Sequence, residues 1–275
     1  MTSALALTLL LAGPTSAKEI QWEKNFDKAM KKAEERNMPV MIDFWAEWCG
    51  FCHRLDRTTY VDPEVTGKAQ NFVAVKINTE GSRREREVVE RYKVHSLPTI
   101  LFVSPGGLQV WRVNSFVGPG RFPFIMDEAL EAAQRVHAWE DELARNPNDA
   151  GALASIGHHL FQQECYEQSG EYLGHAAHFD SARPVDERRT TRLLLAILQN
   201  VKRQFAQAES LLKEALTLNP EGEDQPKLLF FLGRTYVSWG RHEMGVATMQ
   251  VIVREHPRSP IAQRAQETLV TLERK

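Results

Sequence analysis

A chain of 275 residues is about twice the usual single-domain length, so two compact units are expected, each long enough to bury a core. Hydrophobic residues at 43% and charged residues at 25% are ordinary for a soluble globular protein. A net charge of -2 leaves no electrostatic footprint for DNA or RNA, which argues against nucleic acid as a partner. The three cysteines exclude a disulfide framework: Cys49 and Cys52 form one C-x-x-C pair, and Cys165 stands alone far downstream.

In chain order, residues 4–12 form a short run rich in Leu and Ala, well below the roughly 20 residues that span a bilayer. Small residues at Thr15 and Ala17 suit cleavage before Lys18, so residues 1–17 read as a secretory signal, although no Lys or Arg precedes Lys18 to supply the usual basic start. A periplasmic or secreted location is expected if the signal is genuine, and a cytoplasmic one if it is not. Residues 22–37 show helical amphipathicity, with Phe26, Met30 and Ala33 on one face, and Pro39 ends the pattern. Residues 40–45, 72–77 and 99–103 are apolar runs that read as strands buried on both faces. Helical stretches are expected over 49–55 continuing toward Gln70, and over 83–92. A turn at Pro105, Gly106 and Gly107 precedes a strand at 108–113, and residues 122–140 close the region as a helix.

The pattern changes after residue 140. From Asn146 onward there are no strands, only helical segments interrupted at Pro184, Pro220, Pro226, Pro257 and Pro260. Gly157, Ala196 and Gly233 can be laid on one another. Leu153 then matches Leu229, Ile156 matches Leu195 and Leu232, and Leu160 matches Tyr236. In the following helix Leu173, Leu212 and Met249 align, as do Ala176, Ala215 and Ile252. These positions resemble the paired helices of tetratricopeptide repeats, in about three units over residues 141–275. The spacing is somewhat longer than the family's ~34 residues, which fits longer linkers around Pro184 and Gly222. Arg192 and Gln199 stand where the family is apolar. A plain helical bundle is the alternative; agreement of three copies favours the repeat, because stacked units bury faces that none could bury alone.

The chemistry lies in the C-x-x-C pair. A thiolate is the nucleophile of disulfide exchange, and Cys49 follows a predicted strand and opens a helix, where unpaired N–H groups favour its charged form. Cys52, one turn on, can attack a mixed disulfide and release the product. Zinc sites also use C-x-x-C, but four ligands are needed and no second pair is present; a purely structural disulfide is the remaining option. Asp43, in an apolar strand, is costly to bury unless protonated or hydrogen-bonded, and burial raises its pKa; capping of a neighbouring loop is the plainer reading.

Residues 40–52, VMIDFWAEWCGFC, closely resemble the strand, active-site loop and helix start of thioredoxins, and residues 94–102, VHSLPTILF, resemble the family's second active-site element. The resemblance covers roughly residues 22–133 and implies an α/β thioredoxin fold, a central mixed sheet flanked by helices, over residues 18–140. It further implies a redox-active Cys49–Cys52 pair with Cys49 as nucleophile and Cys52 resolving. Asp43 would relay the proton of Cys52, with Lys76 beside it. The bond before Pro98 would be cis, with Leu97 and Pro98 presenting an extended edge to substrate. Gly118, in FVGPG, would line the same groove, with Trp48, Gly50 and Phe51 around the dithiol. Phe51 replaces the usual proline, and residues 51–65, FCHRLDRTTYVDPEV, more closely resemble the periplasmic C-terminal domain of the DsbD family.

The expected activity is therefore reduction of protein disulfides, without metal, nucleotide or other cofactor, with electrons supplied by another protein and partners recruited by the helical repeats. An oxidase or isomerase, or a repeat-based adaptor or holdase using the first domain as scaffold, is the alternative. His158, His159, His175 and His178 are read as surface residues before metal ligands, and Cys165 as a half-buried thiol.

Overall fold

The computed structural model describes residues 19–273, so the apolar N-terminal run and the expected cleavage before Lys18 lie outside the described residues. The chain divides into two compact units between Gln134 and Arg135. In the first, a five-stranded mixed sheet is built from β1 (Trp22–Glu23), β2 (Val40–Trp45), β3 (Val73–Asn78), β4 (Thr99–Val103) and β5 (Gln109–Val113), in the spatial order β1-β3-β2-β4-β5. β1 and β2 run parallel to β3, and β4 runs antiparallel to both β2 and β5. The helices here are α1 (Phe26–Arg36), α2 (Gly50–Arg54), α3 (Pro63–Lys68) and α4 (Arg83–Arg91), followed by α5 (Phe122–Arg145), within which the division between units falls. This is the thioredoxin fold that the resemblance implies.

Strand periodicity sorts the core. Val40, Ile42 and Phe44 of β2, with Val73, Val75 and Ile77 of β3, pack with Phe26, Ala29 and Ala33 of α1 and Val88 of α4. The alternate residues face the other way, toward an aromatic cluster in which Phe102 meets Phe72 and Phe122, and Phe122 meets Tyr60.

Two expectations about the elements are corrected. Residues 22–37 are not one helix: Trp22 and Glu23 pair with Ala74 and Val75, and α1 starts only after Asn25, whose Oδ1 accepts the Lys28 N–H at 2.9 Å. A two-residue strand is defined by its neighbour and has no periodicity of its own to read. Nor does one helix run from Cys49 toward Gln70. α2 passes into a π-helical turn at Leu55–Thr59, the chain breaks, and α3 begins afresh with Asp62 accepting N–H bonds from Glu64 and Val65 and Pro63 at its start. A residue before proline disfavours helix, and a proline in the first turn forfeits no bond, so Asp62-Pro63 both ends one helix and starts the next.

The second unit is all helical: α6 (Ala150–Gln162), α7 (Tyr166–Phe179), α8 (Val185–Val201), α9 (Phe205–Leu218), α10 (Gln225–Ser238), α11 (His242–Glu255) and α12 (Pro260–Glu273). It is a tetratricopeptide-like array of three antiparallel-type pairs, α6 with α7, α8 with α9 and α10 with α11, closed by α12. The aligned small residues explain the register. A Cβ on Gly157 would meet Leu173 Cγ at 2.7 Å, and one on Gly233 would meet Met249 Cε at 2.9 Å, so small residues in the first helix admit the aligned large residue of the second. Each pair also turns through a residue of positive φ at the same step: Glu164 (59°), Arg203 (59°) and Gly240 (82°). Buried faces continue from pair to pair, Leu193, Leu212 and Leu232 sharing one cluster, and α12 covers the last through Ala262, Ala265 and Leu269.

Candidate active site

The parallel register of β2 and β3 sets Asp43 directly opposite Lys76, and the two-residue strand period turns both onto the sheet face that carries the aromatic cluster. Asp43 is fully buried, with the Lys76 ammonium 3.1 Å from its Oδ2. Lys76 is also ion-paired with Asp56, in the π-helical turn after α2. Three rings surround the ammonium, with Trp22, Tyr60 and Trp45 centroids at 5.0, 5.4 and 6.0 Å. Burial raises the Asp43 pKa to about 6, the Lys76 charge offsetting part of that rise and Asp56 adding to it. Burial, with the neighbouring Asp43 carboxyl, pushes the Tyr60 hydroxyl well above its ordinary range. Among the described residues no loop N–H donates to either Asp43 carboxyl oxygen. It is an interior carboxyl ion-paired with Lys76.

β2 ends at Trp45 and leads into Cys49, which caps α2. Cys49 and Cys52 form a disulfide with Sγ–Sγ 2.00 Å, and both are buried. The Cys52 N–H donates to Cys49 Sγ at 3.1 Å, the contact that would stabilise a thiolate at Cys49 in the reduced form. Around the disulfide the side chains are open to water: Trp48 is 68% and Phe51 57% exposed. The Trp48 indole N–H is held by Glu80 at 2.7 Å, and His53 Nε2 lies 2.8 Å from the Glu47 carbonyl. Apart from chain neighbours and the local helix backbone, nothing among the described residues lies within 4 Å of where a Cβ on Gly50 or on Gly118 would stand, so neither glycine is required by packing.

The Leu97-Pro98 bond is cis, and it leads straight into β4, whose Thr99 pairs with Phe44 at the end of β2 from which the cysteine loop departs. The two loops therefore leave the sheet at the same end of its strands. Thr99 Oγ1 sits 2.8 Å from the Ser96 carbonyl and 3.2 Å from Asn114 Oδ1, fixing the approach to β4. Leu97 is half-buried against the α1 side of the core, and Pro98 is buried. The loop bearing Gly118 is tied to the turn after α2 by a buried hydrogen bond from Thr59 Oγ1 to the Val117 carbonyl, 2.8 Å.

Sequence reasoning misses Tyr60, Asp56 and Trp22. Trp22 lies on a strand of two residues, and Tyr60 at the end of the π-helical turn. Asp56 did carry a signal: an acid one helical turn beyond Cys52. Among the described residues no group of three His, Cys, Asp or Glu is arranged to hold a metal ion; His175 and His178 pack against Phe179. Cys165 is half-buried at the start of α7.

Residues 26–130 match the family of thioredoxin-like domains. Among curated proteins, the thiol:disulfide interchange protein DsbD of Photorhabdus laumondii is 35% identical over 86 residues, 30% of this chain and 15% of the relative. DsbD of Haemophilus influenzae strain PittGG is 34% identical over 116 residues, 41% of this chain and 20% of the relative. The chain thus spans a fifth or less of the length of these relatives. Among solved structures, the oxidised C-terminal domain of Neisseria meningitidis DsbD is 20% identical with a TM-score of 0.36, covering 40% of this chain and 99% of that one. MamA is 15% identical with a TM-score of 0.40, covering 59% and 95%. No helix among the described residues is long and apolar enough to cross a membrane.

Proposed function

We propose, from the premise that the N-terminal unit is a thioredoxin-like domain, that this protein is an exported thiol-disulfide oxidoreductase that reduces disulfides in other proteins. The observation that carries the reading is the Cys49–Cys52 disulfide on a sheet whose interior holds a fully buried carboxyl, Asp43, paired with Lys76.

In the reduced protein the Cys49 thiolate, favoured by the Cys52 N–H, attacks one sulfur of a substrate disulfide, and the other substrate sulfur leaves as a thiolate. Cys52 gives its proton to the Asp43 carboxylate and attacks Cys49 Sγ, expelling the second substrate thiolate, which takes up that proton. The substrate cystine becomes one thiol and one thiolate, the thiolate that left first taking its proton from water, and the dithiol becomes the Cys49–Cys52 disulfide. With a pKa near 6, Asp43 can accept a proton and return it at neutral pH, which an ordinary carboxylate does poorly. Lys76 holds the carboxylate form within reach, and Asp56, half-exposed, links Lys76 to water. Leu97 and Pro98 present backbone to the substrate strand, while Trp48, Gly50, Phe51 and Gly118 border the groove it lies in.

No cofactor enters this scheme. Electrons arrive by the same exchange run in reverse from another protein's dithiol. The helical repeats recruit substrates or partners by their surface, and the apolar segment at residues 4–12 supports export to the periplasm.

The test is the reduction potential of the Cys49–Cys52 pair, measured by equilibration in glutathione and dithiothreitol buffers of known ratio. A value near ~-270 mV is expected of a reductant; a value near ~-120 mV, as in strong oxidants, would reverse the direction assigned here.

A further inference from the structure

We infer that Phe116 sets the substrate preference of the dithiol, forming with Phe51 an aromatic platform that takes a large apolar side chain next to the cystine being reduced. The inference rests on the reductase reading above and adds the class of substrate it favours.

Phe51 stands between the two cysteines and keeps most of its ring in water. A single exposed apolar residue is ordinary; a built pair beside reacting atoms is not. The Phe51 and Phe116 centroids are 6.1 Å apart with the planes tilted by 33°, within the range of favourable ring pairs. The Arg54 guanidinium lies 4.4 Å from the Phe116 centroid and holds that ring by a cation–π contact. Phe116 is held from behind as well, since the next residue, Val117, accepts the buried hydrogen bond from Thr59. The platform is thus tied at two points to the helical segment that begins with the dithiol, and it needs no reordering when substrate arrives. Gly118, beside it, leaves open space where any other residue would place a side chain.

A polypeptide whose disulfide reaches Cys49 must bring the residues flanking that cystine against Phe51 and Phe116. An aromatic or large aliphatic flank would cover rings that water otherwise covers, whereas glycine would not. Binding of the flank is separate from the exchange at sulfur, so it changes which substrates are reduced and leaves the reaction itself intact.

The experiment compares two symmetric cystine peptides, one with Phe and one with Gly on both sides of the cysteine. Each is reduced in a single turnover by the stoichiometrically reduced full chain, and the second-order rate constant is followed by tryptophan fluorescence. The native chain is expected to prefer the Phe peptide by about tenfold, equivalent to about 1.4 kcal/mol. Phe116→Ala should bring the ratio close to one, and Phe116→Tyr should retain it. Because the peptides are common to all variants, their own potentials cancel when ratios are compared. Should Phe116→Ala fail to fold, Phe51→Ala reads the other half of the platform and should lower the ratio likewise. A ratio unchanged by both alanine variants, with both peptides reduced, would overturn the platform and leave the reductase reading standing. Reduction of neither peptide by the native chain would overturn both.

Discussion

Replacing Asp43 by Asn should stabilise the N-terminal unit, and the gain should depend on pH in a way only an interior carboxyl can produce. In the folded chain Asp43 titrates at about 6, against an ordinary value of 3.8. The folded state therefore binds this proton more tightly than the unfolded state. The stability Asp43 contributes is fully present below about pH 4 and is lost as pH rises through about 6. A difference of roughly two pKa units corresponds to about 3 kcal/mol at pH 8. Asn has nearly the same shape and does not ionise, and Lys76 keeps Asp56 as a partner, so the variant avoids that loss. Urea unfolding of the oxidised chain would measure it, with Trp139 and Trp239 replaced by Phe so that fluorescence reports the N-terminal unit alone. At a typical denaturant slope the midpoint should rise by roughly 1–3 M at pH 8 and hardly move at pH 4. An equal shift at both pH values, or a loss of stability at pH 8, would refute the assignment of a buried, ionising Asp43. The same variant should turn over more slowly, because the residue that costs stability is the one asked to carry the proton.

Cys52→Ser should trap substrate proteins in a mixed disulfide with Cys49, seen as a thiol-sensitive band on non-reducing gels, whereas Cys49→Ser should trap none and reduce turnover to background. Asp56→Asn removes a negative charge that raises the Asp43 pKa, so the midpoint of the Asp43 titration, followed by carbon NMR of its carboxyl, should move to lower pH. Gly222→Ala should destabilise the C-terminal unit by about 1–3 kcal/mol, read as a lower urea midpoint from Trp139 and Trp239, because the added Cβ would stand 2.7 Å from Cζ of the buried Arg189.

Much of this was legible because it is local. The apolar runs of β2, β3 and β4 need both faces covered, and the stretches between them are long enough to carry covering helices, so the sheet followed from the strands. Asp43 stands out as the charge in the run of β2, as Lys76 does in that of β3. What could not be read depends on partners distant in sequence. Trp22 is a strand residue only because β3 offers it an edge. Tyr60 belongs to the site because the helix after the dithiol breaks at Asp62-Pro63, a break the sequence contained but the helical reading overran. Phe116 precedes Gly118 by two residues, yet nothing in its own neighbourhood indicates that it meets Phe51.

The second helical repeat shows how a misfit in a pattern can be the pattern's explanation. Arg192 stands in α8 where the other two repeats of this chain carry Leu153 and Leu229, and it is buried. Its guanidinium binds the buried Asp180, in the turn after α7, and its Nε donates to Glu214 of α9 at 2.9 Å. One turn earlier on the same helix, Arg189 is fully buried, bound to the Asn219 carbonyl and 2.5 Å from Asp224 Oδ1, in the linker after α9. The two linkers that lengthen the repeat, around Pro184 and Gly222, are therefore each pinned by an arginine of α8. Buried ion pairs contribute little net stability against apolar replacements, but breaking one is costly, so they serve best to fix one arrangement among several. A longer connection costs little entropy in itself, yet it leaves the next helix pair free to dock in more than one register. Arg189 and Arg192 remove that freedom on either side of α8, and Gly222 is glycine because the Arg189 guanidinium occupies the space its side chain would need.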